Sequence, residues 1–377
     1  MTASVTFIWG VSQPPLVAGE PQVQTVCAMG LLVQDRFHCQ NAHVASDALT
    51  NEQLMQHAID AAWSVRTTTA PNPWVGAALL TADGTVHVGA TQPPGGAHAE
   101  IGALAAAGDA AAGATLATTL EPCCHEGRTG PCTTAIIKSG VVRVLVSIKD
   151  PDKQVAGEGI TALRDAGIEV VVGTLSAEVL VQLEPYLHHR RTGRPYVILK
   201  LAATLDGRTA APDGGSEWIT GKEARTDVHQ MRAESQAILV GAGTVRADNP
   251  SLNVRLVAGP SPRRIVLGAA PADANVHPCT EWVGPIPELL DRLAAEGVLQ
   301  LMVEGGANVA SEFHDAGLID RYVLYVAPAI FGGNDAHPLF VGDGAPTMAD
   351  LRRGRFVATR QLGNDIRLDV TLDKDER

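Results

Sequence analysis

Apolar residues recur at helical spacing in the segment that follows residue 50. The apolar positions on one face of this segment are Leu54, Met55, Ala58, Ile59, Ala62 and Trp63. Thr50 and Gln53 precede them in the Thr-x-x-Gln pattern of a capping box, whose side chains satisfy the first free backbone N–H groups of a helix. The pattern therefore predicts a helix over about residues 51–65, begun by Thr50.

Short apolar segments then alternate with segments of helical pattern as far as residue 172. The predicted strands cover about 74–81, 85–90, 114–120, 141–148 and 169–172, and the first two form a hairpin around Asp83-Gly84. The predicted helices cover about 98–108, 131–139 and 159–167. This alternation predicts a three-layer α/β domain.

A polar stretch at residues 186–195 interrupts the periodicity, and we place a linker at 188–195. It divides a first domain, residues 49–187, from a second α/β domain, residues 196–375. The second domain has further predicted strands at about 196–202, 237–241, 264–268, 301–304 and 322–327, and a helix at 307–316. Residues 1–48 show little periodicity, so we interpret them as an N-terminal extension that need not be ordered.

Length and charge limit the classes of function. The chain has 377 residues, which exceeds one typical core and agrees with two domains. Its formal net charge of −12 argues against a non-specific nucleic-acid binder, because phosphate contacts need clustered Lys and Arg. No apolar run approaches the roughly 20 residues of a membrane span. Residues 1–35 lack the Lys or Arg of a signal peptide. We expect a cytoplasmic protein with no membrane or nucleic-acid partner.

Cysteine spacing favours a metal site over a disulfide framework. The six cysteines are Cys27, Cys39, Cys123, Cys124, Cys132 and Cys279. Three of them lie within ten residues of one another, beside His125. This crowding indicates metal binding in a reducing compartment.

The motif with the most chemical content is His98-Ala99-Glu100, followed by Pro122-Cys123 and then Cys132. One imidazole and two thiolates are three zinc ligands, and they leave a fourth position open for water. Zinc-dependent nucleobase deaminases carry this His-x-Glu and Pro-Cys pattern, with the Glu as a proton carrier. Their cysteines are usually separated by two residues, whereas eight intervene here.

Two other interpretations of this motif remain open at the level of sequence. A structural zinc would take Cys124 or His125 as its fourth ligand, but Glu100 would then have no role. The cysteines could also form a disulfide or act as core thiols.

The residues around this motif resemble the deaminase half of the bifunctional riboflavin-biosynthesis deaminase/reductase family. The matching stretches are Pro71-Asn72-Pro73-x-Val75-Gly76, His98-Ala99-Glu100, Leu120-Glu121-Pro122-Cys123-x-His125-x-Gly127-Arg128-Thr129, and Cys132. The resemblance implies zinc on His98, Cys123 and Cys132, and Glu100 as the catalytic proton shuttle. It also implies substrate contacts from Asn72 and Arg128, although Arg128 is equally consistent with a solvated loop residue.

This sequence departs from the family pattern at two positions. Cys124 stands where Ser is usual, and Gly130 where Pro is usual. Both flank presumed ligands, so they affect the stiffness of the loop more than metal binding.

Motifs in the second half resemble the reductase half of the same family. They are Lys200–Arg208, Trp218–Thr220, Gly241–Val245, Ala247–Arg255 and Glu304–Gly306. Each is weaker when taken alone. Gly241-x-Gly243 is typical of a turn, Glu304–Gly306 suits either a strand-to-helix turn or a phosphate site, and Trp218 is by default a packed aromatic residue.

The resemblance implies a dihydrofolate-reductase-like α/β fold that follows a cytidine-deaminase-like three-layer domain, with NADPH as hydride donor. The implied cofactor contacts are Ala202, Trp218, Thr244, Asp248, Gly306, Ala307, Asn308, Val309, Ala310, Ser311 and Glu312. The implied substrate contacts are Ser216, Arg232, Leu252, Arg255 and Glu304. Arg232 and Arg255 suit the substrate phosphate, because Arg pairs with phosphate bidentately. Asp248 is a catalytic candidate for proton handling, or alternatively a turn cap before Pro250.

The leading hypothesis is a bifunctional enzyme, a zinc hydrolase and an NADP-dependent oxidoreductase. By resemblance it deaminates 2,5-diamino-6-(phosphoribosylamino)pyrimidin-4-one and then reduces the ribosyl group to ribityl. Its partner is thus a small phosphorylated pyrimidine, and we expect a homo-oligomer. A second hypothesis is a deaminase of nucleosides or nucleic acid with an unrelated second domain. A third is a zinc-stabilised binding protein without turnover.

Overall fold

The structure is a computed structural model that describes residues 49–125, 130–215 and 217–373. The predicted N-terminal extension, Arg128 and Ser216 lie outside these residues. None of the helices it describes combines the length and the apolar character needed to cross a bilayer.

The helices of the described residues are α1 Asn51–Ser64, α2 Ala99–Ala107, α3 Cys132–Lys138, α4 Glu158–Asp165, α5 Ser176–Gln182, α6 Glu184–Thr192, α7 Lys222–Glu234, α8 Ala242–Asp248, α9 Ile286–Ala295 and α10 Ala307–Asp315. The strands are β1 Gly76–Leu80, β2 Val86–Ala90, β3 Thr115–Leu120, β4 Arg143–Ile148, β5 Glu169–Val172, β6 Tyr196–Thr204, β7 Arg208–Ala210, β8 Ala237–Gly241, β9 Arg263–Leu267, β10 Thr280–Trp282, β11 Gln300–Val303, β12 Arg321–Ala327, β13 His337–Pro338, β14 Gly354–Leu362 and β15 Asp365–Leu372.

The first sheet has five strands in the order β2-β1-β3-β4-β5. The predicted hairpin of β1 and β2 is confirmed, with Gly76 opposite Ala90, and β3, β4 and β5 run parallel. The predicted capping box is also confirmed, because the Thr50 and Gln53 side chains each accept from the other's backbone N–H.

Two glycines show that helices cover both faces of this sheet. A Cβ on Gly76 would lie 1.8 Å from the carbonyl oxygen of Ala58 in α1, and a Cβ on Gly89 would lie 2.1 Å from that of Ala99 in α2. Gly89 neighbours Ala90, the partner of Gly76, so the two glycines face opposite sides of the pleat. The predicted three-layer arrangement is therefore confirmed.

The topology brings the predicted deaminase residues to one edge of the sheet. Cys123 follows the carboxyl end of β3, and His98 follows the carboxyl end of β2. The antiparallel strand β1 begins at this same edge, where the Gly76 N–H donates to Thr119 Oγ1 at 3.1 Å. Asn72, which lies in the loop that leads into β1, therefore enters the sheet from the edge that carries the zinc motif.

The second sheet has eight strands in the order β10-β9-β8-β11-β6-β12-β15-β14. Neighbouring strands are parallel from β10 to β12, whereas β15 pairs antiparallel with both β12 and β14. Alternate residues of β6 enter different cores, with Ile198 packed against the α7 side and Leu199 against the α9 and α10 side. This domain too has three layers, as its predicted α/β class requires.

The polar stretch predicted as a linker is helical over much of its length. Helix α6 continues to Thr192, and Gly193 closes it in the left-handed conformation, φ 72°. Pro185, Tyr186 and Leu187 are buried while the charged residues that follow are largely exposed, so the interrupted apolar pattern concealed the helix.

We predict that Gly89→Ala destabilises the fold. Its added Cβ would meet the Ala99 carbonyl oxygen at 2.1 Å and the Ala103 nitrogen at 2.4 Å, which forces α2 away from the sheet. Overpacking of this kind costs about 1–3 kcal/mol, measurable as a lower urea midpoint. Gly344→Ala is the control, because its Cβ would meet nothing within 4 Å. Equal midpoints for both variants would contradict the packing.

Candidate active sites

Three side chains converge at the predicted edge of the first sheet. His98 Nδ1 lies 3.6 Å from Cys123 Sγ and 3.3 Å from Cys132 Sγ. All three candidate ligand atoms lie within 4.8 Å of one another. His98 precedes the first residue of α2, Cys132 is the first residue of α3, and Cys123 lies in the loop after β3. Local elements thus deliver one ligand each to a shared point.

The structure does not support the two alternatives for these cysteines. Cys124 donates its thiol to the Gln154 carbonyl at 3.8 Å, and His125 is exposed. Cys123, Cys124 and Cys132 are all free thiols, so no disulfide links them. The group of donors that lie together is the predicted set of one imidazole and two sulphurs.

The two thiols influence each other's pKa. The hydrogen bond from the Cys132 thiol lowers the pKa of the Cys123 thiol to about 4, and the same bond raises the pKa of Cys132. The Cys132 backbone N–H also donates to Cys123 Sγ at 3.4 Å. Cys123 is thus the more readily ionised of the two thiols, and a bound cation would have to displace the proton of Cys132 for both to act as thiolate ligands.

Glu100 lies in the first turn of α2 and is only 4% exposed. Burial is the main cause that raises the pKa of its carboxyl, and the nearby Cys123 adds to the effect while His98 opposes it. A buried carboxyl beside the ligand cluster can exchange a proton with a group bound there.

Glu121 has a positioning role that the sequence did not reveal. Its carboxylate accepts from the backbone N–H groups of Asp150 at 3.2 Å, Gly157 at 3.0 Å and Ile160 at 3.0 Å. At Gly159 a Cβ would lie 2.1 Å from the Pro122 carbonyl oxygen, so the start of α4 touches the loop. These contacts fix the segment that leads to Cys123. The adjacent Pro-Cys motif was the only signal for it in the sequence.

Asn72 is half-buried in the loop between α1 and β1, where its N–H donates to the Thr69 carbonyl at 2.9 Å. Arg128, the other predicted contact in this half, lies outside the described residues. The structure therefore gives Asn72 a place at the correct edge of the sheet.

An ion pair forms the centre of the second site. Arg232 of α7 binds Glu304 bidentately, with Nε to Oε1 at 2.6 Å and Nη2 to Oε2 at 2.9 Å. Lys200 Nζ lies 4.0 Å from the same carboxylate. Burial alone would raise the pKa of Glu304, but the two cations outweigh it and hold that pKa at about 2. Glu304 is therefore ionised at neutral pH.

This geometry changes the interpretation of Arg232. Its Nη1 donates to the Asn253 carbonyl at 3.2 Å, while Nε and Nη2 bind Glu304. A guanidinium with every nitrogen engaged has little capacity left for a phosphate. Arg255, the other arginine predicted to contact the phosphate, is exposed.

A buried histidine that the sequence did not single out fixes the Arg255 backbone. His229 Nδ1 accepts from the Arg255 N–H at 3.1 Å. Burial, followed by the charges of Arg232 and Arg255, lowers the pKa of His229 to about 4. The imidazole is therefore neutral near pH 7 and keeps Nδ1 free to accept. Leu252, in the same segment, is buried with φ 50°, a left-handed conformation that is costly for Leu.

The two glycine motifs of the second half meet at the carboxyl ends of β8 and β11. The Gly306 N–H, which precedes α10, donates to Thr244 Oγ1 at 3.2 Å. Val309 fills the space between Gly241 and Gly305, where added Cβ atoms would lie 2.8 Å and 2.5 Å from its side chain. Only residues without a Cβ allow α10 to sit this close.

Residues 306–312, the predicted cofactor contacts, alternate between exposed and buried positions because most of them lie in helix α10. Gly306, Asn308 and Glu312 are exposed and Ala307 is half-buried, whereas the rest are buried. Ser311 exchanges hydrogen bonds with the backbone of Val341, at 2.7 Å and 2.8 Å. The exposed positions are therefore the ones with surface for a ligand.

The remaining predicted contacts lie at different depths. Trp218 is 62% exposed, and the Arg225 guanidinium lies 4.5 Å from its ring centroid. The alternative interpretation of Trp218 as a packed aromatic residue is therefore wrong. Ala202 is half-buried in β6. Asp248 is the exposed last residue of α8, and Asn249 then turns the chain with φ 41°. Ser216 lies outside the described residues.

Comparison with known proteins gives two family matches in series. Residues 49–148 match the cytidine and deoxycytidylate deaminase zinc-binding region, and residues 195–368 match the RibD C-terminal domain. The riboflavin biosynthesis protein RibD of Bacillus amyloliquefaciens is 42% identical over 361 residues, which covers 86% of this chain and 96% of that protein.

Solved structures agree over the same span. RibD of Acinetobacter baumannii superposes with a TM-score of 0.79 at 37% identity, and covers 86% of this chain and 99% of that chain. A Thermotoga maritima diaminohydroxyphosphoribosylaminopyrimidine deaminase/5-amino-6-(5-phosphoribosylamino)uracil reductase has a TM-score of 0.77 at 32% identity, with 85% and 98% covered.

Both regions occur here in one polypeptide, and the relatives are matched almost from end to end. The chain therefore belongs to the RibD family of riboflavin-biosynthesis enzymes, which join a zinc-dependent deaminase to an NADPH-dependent reductase.

Proposed function

We propose that this chain deaminates 2,5-diamino-6-(phosphoribosylamino)pyrimidin-4-one at the His98 cluster and then reduces the product at the Arg232–Glu304 site. The observation that carries the proposal is the convergence of His98, Cys123 and Cys132 within 4.8 Å beside buried Glu100. The Thermotoga relative, which is named for this pair of reactions, supports the choice of substrate.

The donor set of the first site fits zinc in kind and in number. One imidazole nitrogen and two sulphurs would hold the ion and leave one position open. When bound there, zinc lowers the pKa of a coordinated water towards about 7. Glu100 would take a proton from the attacking water and deliver it to the ring nitrogen. As the C–O bond forms and the C–N bond breaks, it would assist the departure of ammonia.

The second site supplies charges of both signs for a phosphorylated sugar. Arg255 is the proposed cation for the phosphate, because it is exposed and its backbone is fixed by His229. Ionised Glu304 would accept hydrogen bonds from sugar hydroxyl groups, and Arg232 would hold that carboxylate in place. Asp248 is the proposed proton-handling residue. NADPH, when bound, supplies the hydride.

The exposed polar surface at the start of α10 suits the cofactor. Thr244 and Gly306 are joined by a hydrogen bond, and Asn308, two residues after Gly306, is exposed. A Cβ on Gly243 would meet nothing within 4 Å, so open space adjoins this turn. We assign the NADPH phosphates to this surface.

The state of the protein in the cell is also part of the proposal. We infer a cytoplasmic homo-oligomer that acts on a small phosphorylated pyrimidine, with no nucleic-acid partner. Free Cys123, Cys124, Cys132 and Cys279 support a reducing compartment. Light scattering of the purified chain measures the oligomeric state.

The direct test supplies the diaminopyrimidine substrate to the zinc-loaded chain, with and without NADPH. Ammonia should appear in both cases, and NADPH absorbance should fall by one equivalent for each ammonia released. Ammonia release without any NADPH oxidation would contradict the second step, and no ammonia would contradict the first.

We predict that Glu100→Gln removes deamination and leaves zinc in place. The amide cannot carry the proton, so ammonia release should fall by roughly 10²- to 10⁴-fold. Zinc content and NADPH oxidation with the deaminated substrate serve as internal controls and should match the wild type. Loss of zinc in this variant would mean that Glu100 supports the metal site structurally.

We predict that Glu121→Gln weakens zinc binding. An amide would leave the N–H groups of Asp150, Gly157 or Ile160 poorly paired and loosen the Cys123 loop. Loss of such an outer contact typically costs roughly 10- to 100-fold in metal affinity, measurable by competition with a chelator. Glu158→Gln, an exposed change in the first turn of α4, is the control. Equal affinities would rule out this positioning role.

We predict that Arg255→Ala raises the reductase KM and leaves deamination unchanged. Loss of a charge-assisted contact to phosphate costs about 1.5–3 kcal/mol, which corresponds to a KM increase of roughly 10- to 150-fold. Steady-state NADPH oxidation measures it, with Arg353→Ala as an exposed arginine control. A wild-type KM would remove Arg255 from the phosphate site.

A further inference from the structure

Arg66 joins the two catalytic halves through a buried guanidinium. It follows α1, and its Nη1 donates to the Gln182 carbonyl at 3.2 Å while Nη2 donates to Gln300 Oε1 at 3.1 Å. Its Nε lies 3.0 Å from Glu234 Oε2. The residue is 8% exposed, so these partners replace water around a full positive charge.

On the deaminase side, Arg66 holds the loop that carries Asn72. The guanidinium lies 5.1 Å from the ring centroid of Trp63 and 4.7 Å from that of Trp74. The Trp74 indole N–H donates at 3.1 Å to the Gln182 carbonyl that also accepts from Arg66. Trp74 comes two residues after Asn72, so its position sets where that loop enters the sheet.

On the reductase side, Arg66 contacts the ends of two elements. Glu234 is the last residue of α7 and lies two positions after Arg232. Gln300 is the first residue of β11, and Glu304 comes directly after that strand. The elements held by Arg66 are thus the two that carry the Arg232–Glu304 pair.

The contact has an apolar component and a polar brace. Leu299, the residue before β11, packs into the hydrophobic core of the first domain. The Gln300 side-chain amide donates to Ser235 Oγ at 2.9 Å and so ties β11 to the end of α7. The deaminase and reductase halves are packed together at this point through Leu299. A shift of Arg66 would therefore be transmitted to both halves.

We propose that Arg66 is a positioning residue for both reactions, which holds the Asn72 loop on one side and the Arg232–Glu304 pair on the other. The inference rests on the proposed function. A planar guanidinium that lies near two indole rings, donates to two acceptors and pairs with the Glu234 carboxylate is a geometry that Lys cannot reproduce. A misplacement of about 1 Å caused by a mutation far from the chemistry can cost roughly 10²-fold in activity.

The test measures KM and kcat for each reaction separately in the full-length, zinc-loaded chain. Arg66→Met should raise the KM of deamination and the KM of reduction, each by about tenfold, while each kcat changes by less than about threefold. Zinc content should remain that of the wild type. Arg143→Met is the matched control, because it removes a more exposed pair with Glu169.

Two further variants separate the two sides. Trp74→Phe keeps an aromatic ring but removes the hydrogen bond from the indole N–H to the Gln182 carbonyl. It should raise only the KM of deamination. Glu234→Gln removes the carboxylate charge at the end of α7 and should raise only the KM of reduction. If Arg66→Met does not fold, these two variants carry the test. The proposal would be overturned if each variant changed the KM of both reactions, or if neither variant changed the KM of either reaction.

Other outcomes are equally decisive. If Arg66→Met lowers kcat through a smaller active fraction and leaves both KM values at the wild-type level, Arg66 only stabilises the fold. If it raises one KM alone, it does not serve both sites. The wild-type chain is assayed first on the same substrates, and its inactivity would count against the proposed function and not against this inference.

Discussion

A buried charge needs a partner, and this constraint shapes both catalytic regions. An unpaired ion in a protein interior costs several kcal/mol, so every buried charged group must be placed against a counter-charge or hydrogen-bond donors. Glu121 meets the backbone N–H groups of Gly157 and Ile160 at the start of α4 and that of Asp150 after β4, and Glu304 meets Arg232 and Lys200. Each arrangement ties a loop or strand end to a neighbouring helix, so the residues next to it cannot move freely.

The elements that were predictable have a local signature. The Thr50 and Gln53 capping box, the β1–β2 hairpin and the apolar strands of both sheets follow from patterns within a few residues. The metal cluster was also predictable, because the chemistry of one His and two Cys restricts what they can do together. Its three members come from separate elements, yet each lies next to a helix start or strand end that the pattern had marked.

In strand β15 the buried face is the polar one, the reverse of what its hydrophobic pattern predicts. Asp365, Arg367 and Asp369 are the buried positions of β15, while Ile366 is 44% exposed. Arg367 binds Asp369 at 2.7 Å and Asp227 of α7 at 2.7 Å, so the buried face is satisfied by ion pairs. Strand β14 lies at the edge of the sheet and is mostly exposed. The sequence of β15 alternates strictly between polar and apolar residues, which is typical of a strand, but this alternation assigns the wrong face to the interior.

The roles of some residues could not be predicted because they depend on contacts between positions far apart in the sequence. Arg232 and Glu304 are separated by 72 positions, and only their bidentate contact shows that Arg232 is committed to a carboxylate. The sequence does not show which carboxylate a basic residue contacts, and Arg232 was therefore assigned to the substrate phosphate. His229 and Arg66 carried no motif at all, and their functions follow from burial and from what they touch.

Local charge explains how an acidic protein can bind a phosphorylated substrate. The chain carries a formal net charge of −12, yet Lys200 and Arg232 both lie against the Glu304 carboxylate, and the charges of Arg232 and Arg255 both act on His229. Because salt screens exposed charges beyond about 10 Å, the potential at the site reflects these neighbours more than the distant acidic surface. Under the proposed function, this local excess of cations would serve the phosphate through Arg255.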